Sequence, residues 1–170
     1  MRYFYVLFTS IIIFVMASFT PKPKLTITSS SFSENGMIPA QYSCEGVQAS
    51  PPLHITNIPA GTQYLALILH DPDAPREGGF THWVVWNIDK AGVIAENFKG
   101  AEQGLNGADK RGYIGMCPPS GTHHYHFMVY ALDSKLNLDK NTNKAALEKA
   151  MEGHILAEGD LVGLYKKAGK

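Results

Sequence analysis

The chain has 170 residues, enough for one domain with its own core and too few for two of ordinary size. Hydrophobic residues make up 45% and charged residues 18%, which excludes an intrinsically disordered chain. Lys plus Arg and Asp plus Glu balance at 15 each, so no global field draws the protein to nucleic acid or to anionic lipid, and any anion it binds must be recognised locally.

The first element is a leader. Arg2 precedes an apolar run over residues 3–17 that only Thr9 and Ser10 interrupt. The run is short for a membrane span, which needs about 20 residues, and Val15-Met16-Ala17 offers small residues for a peptidase. The pattern predicts a signal peptide over residues 1–17, export, most simply to a periplasm, and no stable membrane insertion once the leader is cut. Retention of the run as an anchor, and a cytoplasmic protein with an unusual N-terminus, are the alternatives. The domain itself is expected over residues 24–170.

Strand signals follow. Residues 24–28 alternate, and residues 51–55 form a second short run bounded by prolines and the Pro59-Ala60-Gly61 turn. Residues 64–69 are almost continuously apolar, which predicts a central strand covered on both faces. Residues 83–88 and 124–132 read as two more strands, and 161–165 as a last one. The one clear helix signal spans residues 144–152, after the cap candidates Asn141, Thr142 and Asn143 and before Gly153. Many strands with one or two short helices predict an antiparallel or mixed β-sandwich. Cys44 and Cys117 can form one disulfide in an oxidising compartment or stay two buried thiols, and sequence gives no distance between them.

Two islands carry candidate chemistry. Asp71-Pro72-Asp73-Ala74-Pro75 ends an apolar strand in a loop that two prolines stiffen, and Thr81-His82-Trp83 opens the next strand. Alternation places His82 with Phe80, Val84 and Trp86, and points Trp83 the other way. The second island runs from Cys117 through Pro118-Pro119-Ser120-Gly121-Thr122 to His123-His124-Tyr125-His126. His123 and Tyr125 share one strand face; His124 and His126 share the other. Imidazole and phenol donors can hold phosphate or carboxylate oxygens without net charge, and an imidazole near its ordinary pKa can gain a proton as an anion arrives. Taken singly, each island also reads as an ordinary turn or a hydrogen-bonded core histidine.

Together the two islands closely resemble the phosphatidylethanolamine-binding protein family, which includes the Raf kinase inhibitor protein and the plant flowering regulators. Tyr42-Ser43-Cys44-Glu45-Gly46, Ser50-Pro51-Pro52-Leu53 and Gly153-His154-Ile155-Leu156-Ala157 extend the resemblance over nearly everything after the leader, and the spacing is similar to the shorter bacterial branch. The resemblance implies a mainly β fold, a large antiparallel sheet packed on a smaller one, with short helices near the C-terminus. It implies a pocket for a small anion of phosphate or phospholipid-headgroup type, lined by Asp71, His82, His123 and Tyr125, with Asp73, Trp83 and Pro118 nearby. Asp71 is expected to orient an imidazole by accepting its N–H. The implied role is a non-catalytic binding protein without cofactor, able to modulate a partner enzyme; export argues against a cytoplasmic kinase in that place. Two positions depart from the family pattern: His124 stands where many relatives carry Arg, and Gly115-Met116-Cys117 replaces a Gly-Pro-Cys version.

Two enzyme readings compete. His124 and His126, with His70, Asp71 and Asp73, offer metal ligands, although parity separates them from His123 and Tyr125 and no His-Glu-x-x-His is present. An Asp71/His82 acid–base pair suits a hydrolase of phosphorylated or ester substrates. However, Gly-x-Ser-x-Gly is absent, and Ser120 sits in a Pro-Gly turn, so no nucleophile is identifiable.

Overall fold

The computed structural model describes residues 23–168, so the leader expected over residues 1–17 lies outside the described residues. Nine strands and one α-helix follow in chain order: β1 (Thr26–Thr28), β2 (Gly36–Met37), β3 (Leu53–Thr56), β4 (Tyr64–Asp71), β5 (Phe80–Asp89), β6 (Val93–Ile94), β7 (Glu102–Gln103), β8 (Thr122–Leu132), α1 (Lys144–Met151) and β9 (Ile155–Lys166). A single 3₁₀ turn spans Ala40–Tyr42. Among the described residues no helix is long and apolar enough to cross a membrane.

The strands form two sheets. The larger has six strands in the order β2-β9-β8-β4-β5-β7, and the smaller has three in the order β1-β3-β6. Neighbours pair antiparallel except β2, whose Gly36 and Met37 run parallel to Gly163 and Leu164 of β9. The large sheet is therefore mixed. α1 lies towards the C-terminus, as expected, and is followed by the twelve-residue strand β9; a further helical turn lies in the N-terminal half.

Burial explains the sheet order. Leu65, Leu67 and Leu69 of β4 point inward with Trp83, Val85, Phe127 and Val129, onto Ile27, Leu53, Ile55 and Ile94 from the small sheet. Ala66 and Ile68 point the other way with Val84 and Trp86, under Leu147 and Met151 of α1. β4 is thus covered on both faces, which is why its sequence is a continuous apolar run and not an alternation. Asn143 caps α1 by accepting the Ala146 N–H at 3.0 Å. Leu147 and Met151 lie one turn apart on one helix face, and each contributes about 1.5–3 kcal/mol by burial.

Cys44 and Cys117 are joined by a disulfide. Beside it the Cys44 N–H donates to the Met116 carbonyl at 2.9 Å, so residues 43–44 lie directly against the segment leading into β8. Gly115 permits this approach, because a Cβ there would stand 2.7 Å from the Ser43 carbonyl carbon.

Candidate functional site

β4, β5 and β8 are neighbours in the large sheet, and the site lies where β4 ends, β5 begins and β8 begins. Asp71 is the last residue of β4, and its carboxylate divides its work. Oδ2 meets His123 Nδ1 at 2.8 Å, while Oδ1 accepts the Asp73 N–H at 2.9 Å, closing an Asx turn over Pro72. Asp73 ties the same loop to β8, since its Oδ2 accepts the His124 N–H at 2.8 Å and meets His124 Nδ1 at 2.7 Å. Those bonds hold the Asp73 carboxyl below its ordinary value, with the His124 side chain as the largest cause. The proline-stiffened loop is therefore clamped to the head of β8 at two consecutive positions.

His82 reaches the site through an irregularity that alternation does not foresee. Leu69 pairs with Trp83, yet His70 pairs with Thr81, so His82 is an extra residue in β5. A bulge of this kind re-aims a side chain. The His82 ring packs edge-on against Phe80 at 4.8 Å and Tyr125 at 5.3 Å, on the same side as the inward-facing Trp83. The simple parity reading, with His82 beside Val84 and Trp86, is thus corrected: those two lie on the opposite, helix-covered face. His82 Nδ1 lies 2.9 Å from the Ile114 carbonyl. Burial pushes the imidazole below its ordinary pKa, and outweighs the Ile114 carbonyl and the Asp71 charge that act the other way.

Tyr125 and His123 project from β8 with their rings stacked at 6.4 Å. Asp71 is 3% exposed, His82 4%, His123 7% and Tyr125 0%, so the four groups are almost entirely withdrawn from solvent. The Tyr125 hydroxyl is the feature that stands out. Among the described residues it is the one buried side-chain N or O atom with no hydrogen-bond partner. Burial and the nearby Asp71 charge push its pKa far up, so it is a protonated donor at every ordinary pH. Asp71 is the carboxylate nearest the phenol and raises its pKa by charge and by proximity, but both of its oxygens are engaged elsewhere, by His123 and the Asp73 N–H, and the hydroxyl makes no well-formed hydrogen bond.

The other predicted residues take supporting positions. Trp83 is fully buried, with its Nε1–H donating to Gln103 Oε1 at 2.9 Å and its ring against Tyr113, so it packs beneath the site. Pro118 is buried next to the disulfide. His124 and His126 are drawn to different carboxylates, Asp73 and Asp160, each at 2.7 Å. Among the described residues no three His, Cys, Asp or Glu side chains converge to hold a metal. Sequence reasoning did not single out Phe80 or the Ile114 carbonyl. The first carries a weak signal, as an aromatic two residues before His82; the second carries none, since any residue supplies a carbonyl.

Two concavities lie elsewhere on the described residues. One of about 420 Å³ runs along the outer face of β8 and β9, past Met128, Tyr130, Glu158 and Asp160. Another of about 320 Å³ lies between Arg76, Asn106 and the start of α1. Neither is lined by the Asp71/His82/His123/Tyr125 cluster, and neither has its concentration of buried polar groups.

A β-sandwich with this cluster at the ends of three neighbouring strands matches known proteins along almost its whole length. The phosphatidylethanolamine-binding protein family matches residues 28–166, and the chain belongs to that family. A UPF0098 protein of Pyrococcus horikoshii is 48% identical over 150 residues, covering 82% of this chain and 75% of its own. A UPF0098 protein of Chlamydia trachomatis is 42% identical over 84% of this chain and 99% of its own. Among solved structures, a Chlamydia trachomatis homologue of phosphatidylethanolamine-binding protein superposes with a TM-score of 0.82 at 41% identity, over 86% of this chain and 99% of its own. The Escherichia coli family member YbcL superposes with a TM-score of 0.79 at 29% identity, over 85% of this chain and 99% of its own.

Proposed function

We propose that the protein is a non-catalytic binding protein whose Asp71/His82/His123/Tyr125 cluster takes a small oxyanion of phosphate or phosphorylated-headgroup type. The observation that carries this reading is the buried Tyr125 hydroxyl, a donor with no acceptor inside the protein. An orphaned buried donor costs about 1–3 kcal/mol, and a ligand oxygen removes that cost on binding. His123 supplies the second contact. Asp71 holds its Nδ1, which leaves Nε2 for the ligand. The family's name points to the same class of ligand. The disulfide supports export to an oxidising compartment.

Calorimetric titration with inorganic phosphate and with phosphoethanolamine tests the reading and separates free phosphate from headgroup. It is run about one pH unit either side of 6.5, the ordinary imidazole value. Saturable binding is expected at the lower pH, weaker at the higher, and weakened in Tyr125→Phe. Absence of binding by either ligand at both pH values removes the proposal.

A further inference from the structure

We propose that this pocket selects oxyanions that still carry a proton, a phosphate monoester or free phosphate in its monoanionic form, over equally charged oxyanions that carry none, and that His82 sets the preference. The inference rests on the anion-binding reading above.

The tautomer of His82 is fixed by its neighbour. A main-chain carbonyl oxygen can only accept, so at 2.9 Å from Ile114 the His82 Nδ1 carries the hydrogen. A neutral imidazole has one N–H, and Nε2 is therefore a lone pair. No hydrogen bond among the described residues engages Nε2, and it is not among the fully buried unpartnered atoms. The Gly115 carbonyl also stands near the ring and acts on it in the same sense as that of Ile114. The charged and titratable groups around the ring are few. Asp71 and His70 lie on β4, His123 and Tyr125 on β8, and Arg76 sits over Phe80 at 5.5 Å. The Asp71 oxygens are already engaged by His123 and the Asp73 N–H. Burial favours the neutral ring further.

The pocket thus offers one fixed donor, Tyr125 Oη, and one fixed acceptor, His82 Nε2. His123 turns its Nε2 away from Asp71, which holds Nδ1. An oxyanion without hydrogen sets its lone pairs against that of His82. The P–OH of a phosphate monoanion instead donates to it, while an ionised oxygen accepts from Tyr125. A site built around a ligand hydroxyl discriminates strongly against analogues that lack it. The phosphate of an intact phospholipid is a diester and has no P–OH, so on this logic the pocket favours a monoester or free phosphate over a lipid still carrying its acyl chains.

Methyl phosphate, methyl sulfate and dimethyl phosphate make the test. Near pH 6, about the second ionisation of a phosphate monoester, methyl phosphate is substantially monoanionic and matches the charge of the other two. The expected result, by calorimetric titration of the protein, is at least tenfold tighter binding of methyl phosphate than of either comparator. At about pH 8 the P–OH is gone and the gap closes. In His82→Phe the gap closes near pH 6, because methyl phosphate loses more affinity than methyl sulfate does. The pH arm reads the same property in the unaltered protein, so it stands even if the variant does not fold. Equal affinity for methyl phosphate and methyl sulfate near pH 6 overturns the selectivity and leaves the anion pocket standing. Failure of all three and of inorganic phosphate overturns both.

Discussion

Asp71 and His123, separated by 52 residues, meet through Oδ2 and Nδ1 at 2.8 Å in a part of the molecule that water hardly reaches. The same carboxylate accepts the Asp73 N–H through its other oxygen. Two donors thus meet two acceptor atoms, and an amide has only one. Asp71→Asn must either leave one donor unmet or force His123 Nδ1 to give up its hydrogen and accept from the amide NH2. The expected cost is about 1–3 kcal/mol of folding stability, read from urea unfolding. A loss below about 0.5 kcal/mol would mean that the pair contributes nothing the solvent cannot replace.

Tyr125→Phe should separate stability from function. The phenol ring fills the core against His82 and His123, but its hydroxyl has no partner to lose. Removing the hydroxyl is therefore expected to leave stability within about 0.5 kcal/mol of the parent, or to raise it. Phosphate affinity should nevertheless fall by about tenfold, the worth of one hydrogen bond. A variant that is clearly destabilised would reveal a partner for the hydroxyl inside the folded protein.

These two residues also show where sequence is readable. Strands β4 and β5 were legible because burial on both faces demands nearly unbroken apolar runs, β8 because its aromatic and β-branched residues alternate with less buried ones, and α1 because Asn143 precedes an Ala- and Leu-containing stretch. The two-residue strands β2, β6 and β7 were not, since so short a segment carries no period. The first half of β9 was missed because Glu158, Gly159 and Asp160 break the hydrophobic pattern where the strand crosses the open face of the sheet. In the site, Asp71, His82, His123 and Tyr125 were named from their motifs, but the facing of His82 was misread. Alternation assumes an uninterrupted ladder, and the bulge at His82 depends on how β4 and β5 pair, not on β5 alone. The bridge between Cys44 and Cys117 was left open for the same reason, because a contact across 73 residues is decided by the fold.

That bridge should matter twice over. Closing a loop of this separation contributes about 4 kcal/mol in the chain-entropy account. The segment it fastens also carries the Ile114 carbonyl that holds His82. A Cys44→Ser, Cys117→Ser double variant is expected to melt well below the parent and to bind phosphate more weakly at temperatures where it is still folded. Thermal unfolding gives the first result and titration at low temperature the second. Unchanged affinity in the folded variant would mean that the Cys44 N–H bond to Met116 is enough to keep Ile114 in place.

The histidines set the pH dependence of stability. His82 and His70 are both held below the ordinary imidazole value, in each case chiefly by burial. A depressed histidine pKa means that the unfolded chain takes up the proton first, so the unfolded state binds more protons just below about pH 6.5. Stability is then fully present above that pH and declines as pH falls through it. Asp73 and Asp133, both held low mainly by histidine hydrogen bonds, add a loss of the same sign, but only below the ordinary carboxyl range near about pH 4. Thermal unfolding between about pH 5 and 8 should show a melting temperature that rises to near neutrality and then levels. His82→Phe should flatten the rise between about pH 5 and 6.5 and leave the acid limb below about pH 4 in place. A parent protein that melts higher at pH 5 than at pH 7 would mean that these imidazoles gain, rather than lose, affinity for the proton on folding, and that His82 enters the pocket as a cation.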